Sequence, residues 1–190
     1  MGRLQSPTVD LLFVFGVVFV VQQVAGFVGY GTAWFALATP LARPWTVVTS
    51  VYAHATIGHL FTNALALALV GFALERFTTR VRFHVFVLVA GVVAGIGQLL
   101  VSTALGKSVA VLGASGAVLA LYGYVLAGNR VVDRLFSRID IGRRATIAVI
   151  VVVALAVTLS TGGRSVALGA HFVGFVVGIV AGRGRVLRPA

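Results

Sequence analysis

Cysteine is absent from the 190-residue chain, which excludes a disulfide framework and any thiolate metal site. Acidic residues are almost absent as well: only Asp10, Glu75, Asp133 and Asp140 occur. Charged residues of both signs make up 10% of the chain, against about a quarter in soluble domains. Hydrophobic residues make up 59%. That excess is too large for a water-soluble core, so the chain reads as an all-α, multi-spanning membrane protein forming a single domain over 1–190. Lysine occurs once, and arginine supplies nearly all of the net charge of +11. A basic balance of that size could signal nucleic acid. Here the arginines fall in short clusters between apolar runs, which is a topology signal, and no nucleic-acid partner is expected.

What is present is a set of six apolar runs, at about 9–30, 56–75, 83–103, 115–129, 145–161 and 168–182. The first lacks a clear small-residue cleavage site after a short core, so it is read as a span and not as a signal peptide. With six spans and an inner N-terminus, twelve basic residues fall on the inner side, and Arg43, Lys107 and Arg164 on the other. That asymmetry predicts a multi-pass protein of the plasma membrane with both termini cytoplasmic. All four acids fall on the inner side, so chemistry in the outer half has to proceed without a carboxylate. Gln22 and Gln23 in the first span are expected to face other helices. In the connection 31–54, Trp34, Trp45 and Tyr52 suit a membrane interface, and Pro40 and Pro44 prevent a long helix.

Depth follows from counting. The fifteen residues from Ser115 to Arg130 rise roughly 22 Å as a helix. A hydrocarbon core is about 30 Å thick. The fourth span therefore starts below the outer surface, with the preceding loop dipping in. Irregular backbone at such depth is tolerated only around a cavity or within protein. Asn63 lies roughly 20 Å from Arg76 and His171 roughly 18 Å from Arg183 by the same rise. Three helices thus deliver a hydroxyl, an amide and an imidazole to one layer.

Each group has a plain reading and a chemical one. Ser115, in the turn Gly113-Ala114-Ser115-Gly116, could simply cap its helix. As a nucleophile it would need a base, most often histidine. Flanking Gly113 and Gly116 would admit substrate backbone, and the Ser115 amide would face a developing oxyanion. His171 stands one turn above Gly174 in GAHFVGFVVGIVAG, where Gly174, Gly178 and Gly182 form a smooth face for close helix packing. Its plain reading is a packing hydrogen bond, and its chemical one is the base. In HATIGHLFTN, His59 and Asn63 share a helix face, and His54 falls in the loop before it. The first two are either interhelical polar glue or oxyanion donors. Zinc fits poorly, because no HExxH motif or cysteine exists and no carboxylate shares the layer. Haem held by His59 and His171 is a remote rival. No cofactor is expected. His84, beside the inner arginines, is given no role.

Together these motifs resemble the rhomboid family of intramembrane serine proteases, over about Arg43 to Gly182. The resemblance rests on HATIGHLFTN in the second span, GASG opening the fourth and AHFVGFVVG in the sixth, in that order. It implies a six-helix rhomboid-like bundle with Ser115 as nucleophile and His171 as base. His59 and Asn63 would stabilise the oxyanion with the Ser115 amide, and His54 would support them. Glu75-Arg76 also resembles the family. The implied substrates are transmembrane segments of other proteins, cut near the outer side. Leu119 replaces the tyrosine that stacks on the base in well-known bacterial members, so the imidazole is expected to rely on apolar packing. A dyad without a carboxylate implies a slow enzyme. Substrate would enter by displacement of the fifth span or of the loop 161–168, with Gly162 and Gly163 making that loop a moving cap. Two rivals compete with the enzyme: a non-catalytic relative that binds transmembrane helices as a scaffold, and a small transporter or channel subunit.

Overall fold

The computed structural model describes residues 6–38, 42–128, 143–160 and 167–188. Asp133, Asp140, Gly162, Gly163 and Arg164 lie outside the described residues.

Helix α1, Pro7–Phe27, starts where the sequence supplies both a cap and a stiff first turn. The Ser6 hydroxyl accepts from the Val9 amide, and Pro7 occupies a first-turn position that needs no N–H donor. The same hydroxyl donates to Glu75 Oε2 at 2.6 Å, and the Thr8 amide donates to that oxygen at 3.2 Å. This ties the start of α1 to the far end of α3, Ile57–Leu74. Helix α4, Arg80–Ala104, begins at a Thr79 cap. Its Arg80 and His84 both reach Asp10 Oδ2, at 2.7 and 3.1 Å, and thereby clamp α1 from the other side. His84 thus has a structural partner.

The connection between α1 and α3 is described over residues 28–38 and 42–56. It holds a 3-10 turn at Thr32–Trp34, strand β1 at Leu37–Ala38 and helix α2 at Thr46–Tyr52. Trp34 stacks on Trp45 with ring centroids 5.7 Å apart, and Arg43 lies 4.9 Å over the Trp34 ring. Strand β1 pairs antiparallel with β2, Ala110–Val111, in the register Leu37–Val111 and Ala38–Ala110. That pairing fixes the segment running into α5, Ser115–Ala127. Helices α6, Arg143–Ser160, and α7, Leu168–Arg183, complete the described elements. The helix bounds lie within three residues of the apolar runs read from the sequence.

Helix α5 is the centre, packed against α7, α4 and α3, with α6 lying on α7 and α1 on α3. Gly116 to Leu121 are buried without a break. Phe15, Phe83, Leu67 and Leu121 fill the core between α1, α3, α4 and α5. The outward faces remain apolar: Phe13 is 71% exposed, Leu69 67% and Phe27 91%. A water-soluble protein rarely exposes so much contiguous apolar surface. Among the described residues three helices, Pro7–Phe27, Ile57–Phe77 (α3 with its 3-10 extension) and Arg80–Ala104, are long and apolar enough to cross a bilayer, and Ser115–Ala127 and Leu168–Arg183 are shorter apolar helices. The chain is an integral membrane protein.

The expectation for the two glutamines is half corrected. Gln22 is buried and accepts from the His54 amide at 3.0 Å. Gln23 is exposed, because one residue turns a helix by about 100° and cannot place both side chains inward.

Candidate active site

A glycine stripe brings α7 onto α5. A Cβ added at Gly174 would fall against the Gly116 carbonyl oxygen, and one at Gly178 against that of Ala120. From the other side, a Cβ at Gly123 would meet the Phe175 carbonyl. Backbone therefore rests on backbone along this seam, which larger residues would forbid. Gly116 is hemmed in as well, since an added Cβ would lie 2.5 Å from the Ala94 Cβ and 3.3 Å from the Ala170 carbonyl oxygen. The two contacts put the first turn of α5, with Ser115, against the first turn of α7, with His171.

Ser115 is the first residue of α5, and its predecessor Ala114 sits at the cap position with no side-chain hydrogen bond. The plain capping role is therefore corrected: Ala114 and not Ser115 occupies the cap. The helix closes by a Val118 N–H to Ala114 carbonyl bond of 2.9 Å. The Ser115 amide precedes that bond and has no intrahelical acceptor. Just upstream, Gly113 has φ +124°, a conformation open essentially to glycine. Its amide donates to the Ser50 carbonyl at 2.8 Å. A Cβ there would also strike the His59 ring, 2.6 Å from Cε1. Gly113 thus lets an imidazole lie against the loop that presents the serine.

His59 and Asn63 sit on the first turns of α3. Thr56 caps that helix by accepting from the His59 amide at 3.1 Å. Asn63 is buried and donates through Nδ2 to the His59 carbonyl at 2.9 Å. A primary amide has two N–H donors, so this bond occupies one of them. His54 is fully buried between α2 and α3, its ring 5.2 Å from that of His59 and 5.0 Å from that of Phe15. Burial first, and then the neighbouring His59, push its pKa down to about 4. It is a neutral ring packed edge-on against His59.

Ser115, His171, His59 and Asn63 all line one cavity of about 1210 Å³. Leu119, Tyr122, Val153, Val157 and Phe175 carry its wall downward between α3, α5, α6 and α7. His171 is buried. Leu119 packs in an apolar cluster with Ala154, Phe175 and Ile179, and Phe172 lies against it. Among the described residues no hydrogen bond joins the Ser115 hydroxyl to the His171 ring; catalytic hydrogen bonds often form only once substrate binds. Asp10 and Glu75 lie at the opposite end of the bundle, Glu75 sixteen residues beyond His59, or about 24 Å of helix.

Sequence reasoning passed over Gln98. Its Oε1 accepts from the Ala170 amide at 3.0 Å, and its Nε2 donates to the Ser102 hydroxyl at 2.9 Å. The signal was available: a lone amide inside a 25-residue apolar helix is a candidate interhelical contact.

Comparison with known proteins identifies the family. The rhomboid domain family matches residues 41–188. A Bacillus subtilis (strain 168) protein, YdcA, whose own designation as a rhomboid protease is provisional, is 28% identical over 136 residues, covering 72% of this chain. The chain spans 64% of the length of that relative. A match over most of the chain, with the motifs gathered around one cavity, places this protein in the rhomboid family.

Proposed function

We propose that this protein is an intramembrane serine endopeptidase that cuts transmembrane segments of other membrane proteins near the outer side. In this reading it is a six-span, multi-pass protein of the plasma membrane, with both termini cytoplasmic, and it uses a Ser115–His171 dyad. The observation that carries the reading is the convergence of a hydroxyl, two imidazoles and a carboxamide, from three helices, on the wall of one cavity.

The chemistry follows from the groups present. His171 removes the Ser115 hydroxyl proton as Oγ attacks the scissile carbonyl carbon. The carbonyl π-electrons move onto oxygen, where His59, the second Asn63 N–H and the Ser115 amide donate to the oxyanion. The imidazolium then gives its proton to the leaving amine as the C–N bond breaks. Water, deprotonated by the same imidazole, attacks the acyl-serine and releases the acid, and the proton returns to Ser115. No carboxylate is placed to stabilise the imidazolium among the described residues, so turnover is slow. The apolar wall below Ser115 suits the side chains of a helix entering from the lipid.

The test is cleavage of a helical transmembrane substrate by the purified protein in liposomes, with labelling by a serine-directed fluorophosphonate. Ser115→Ala and His171→Ala are expected to abolish both. Cleavage persisting in Ser115→Ala would exclude this nucleophile. A folded wild type that neither cleaves nor labels would favour the scaffold reading.

A further inference from the structure

We infer that Gln98 is a positioning residue for His171, acting by capping α7 from a neighbouring helix; the inference rests on the dyad reading above. Helix α7 starts at Leu168 after Ala167, which supplies no side-chain cap. Its first intrahelical bond joins the His171 amide to the Ala167 carbonyl at 3.1 Å. The three amides before it are orphans of the helix start. An amide at a helix start that is buried and left unpaired is costly. Gln98 takes the last of the three, at Ala170, immediately before the base.

The arrangement around this bond is directional. Ser102, buried one turn along α4, accepts from Gln98 Nε2 and so turns Oε1 toward α7. Gly169 leaves the room: a Cβ there would lie 2.7 Å from Gln98 Oε1. Beside it, a Cβ at Gly97 would meet Val173 Cγ2 at 2.9 Å, so α4 and α7 interlock at this level. Ala170 is held on one side by Gln98. On the other, its carbonyl oxygen abuts Gly116, the residue after the serine. One residue thus transmits the position of α4 to the serine–histidine pair. Without Gln98, the first turn of α7 keeps its glycine seam below but loses its fixed point above. The turn that carries the imidazole is then less closely held against α4.

The experiment compares wild type, Gln98→Leu, Gln98→Glu and Ser102→Ala in liposomes, with active sites titrated so that rates refer to folded enzyme. Gln98→Leu keeps the bulk and removes the acceptor. It is expected to lower kcat about tenfold or more, with KM changed less than about twofold, because misplacing a catalytic group acts on the chemical step. Gln98→Glu keeps an acceptor and is expected to restore kcat to within about threefold of wild type. It also brings a carboxylate to the residue before His171, so the acid limb of the pH–rate profile moves to higher pH. Ser102→Ala frees the amide to rotate and is expected to lower kcat about two- to fivefold; it serves if Gln98→Leu fails to fold. Titrated kcat unchanged in both Gln98→Leu and Ser102→Ala, with only the melting temperature lowered, would overturn the inference and leave Gln98 a packing residue. Activity retained in Ser115→Ala would instead overturn the dyad itself, so the two failures are distinct.

Discussion

The close seam between α5 and α7 makes Gly174→Ala the sharpest perturbation of this fold. A methyl at that position falls against the Gly116 carbonyl oxygen, and backbone cannot yield as a side-chain tip can. To reach ordinary contact the two helices must part by roughly 1 Å, and a displacement of that size near reacting groups can lower rate by about 100-fold. Overpacking itself destabilises by about 1–3 kcal/mol, partly offset by about 1 kcal/mol of helix propensity from replacing glycine. Stability therefore falls only modestly while kcat collapses. Gly16→Ala is the matched control, since an added Cβ there has nothing within 4 Å. It gains the same propensity without a clash and should leave kcat unchanged. The assay is cleavage of a transmembrane substrate in liposomes, with melting temperature measured in detergent on the same preparations. If Gly174→Ala kept kcat within threefold of wild type while Gly16→Ala behaved as stated, the claim that backbone contact sets the dyad would be wrong.

Two further outcomes follow from the same geometry. Asn63→Ala removes one proposed oxyanion donor and should cut kcat about 100-fold with little change in KM; an equal loss confined to KM would mark Asn63 as a binding residue instead. His54, buried and held down to about 4, should make the fold acid-sensitive. Below about pH 6.5 the unfolded chain takes up a proton at this histidine and the folded chain does not. Stability from His54 is thus full above that pH and declines as pH falls toward 4, by up to about 3 kcal/mol. Melting curves at pH 7.5 and 4.5 should show a smaller acid loss in His54→Phe than in wild type, and parallel losses would show that His54 takes up its proton equally in the folded and unfolded states.

The sequence by itself determined where the helices run. Six apolar runs located the helical segments to within a few residues, because a helix that satisfies its own backbone is the one local answer to an apolar solvent. The arithmetic from Ser115, Asn63 and His171 to the next arginines led to the expectation of three groups in one layer, and in the structure all three line one cavity. Rotation and contact were decided only by the tertiary structure. Gln22 turned inward and Gln23 outward, though adjacent, because only the packed neighbours choose the azimuth of a helix that is apolar all round. The β1–β2 pairing of Leu37 with Val111, the His59 ring against Gly113 and the Gln98 bond to Ala170 could not be read in the chain either. Each joins groups distant in sequence, and short-range spacing carries no information about them.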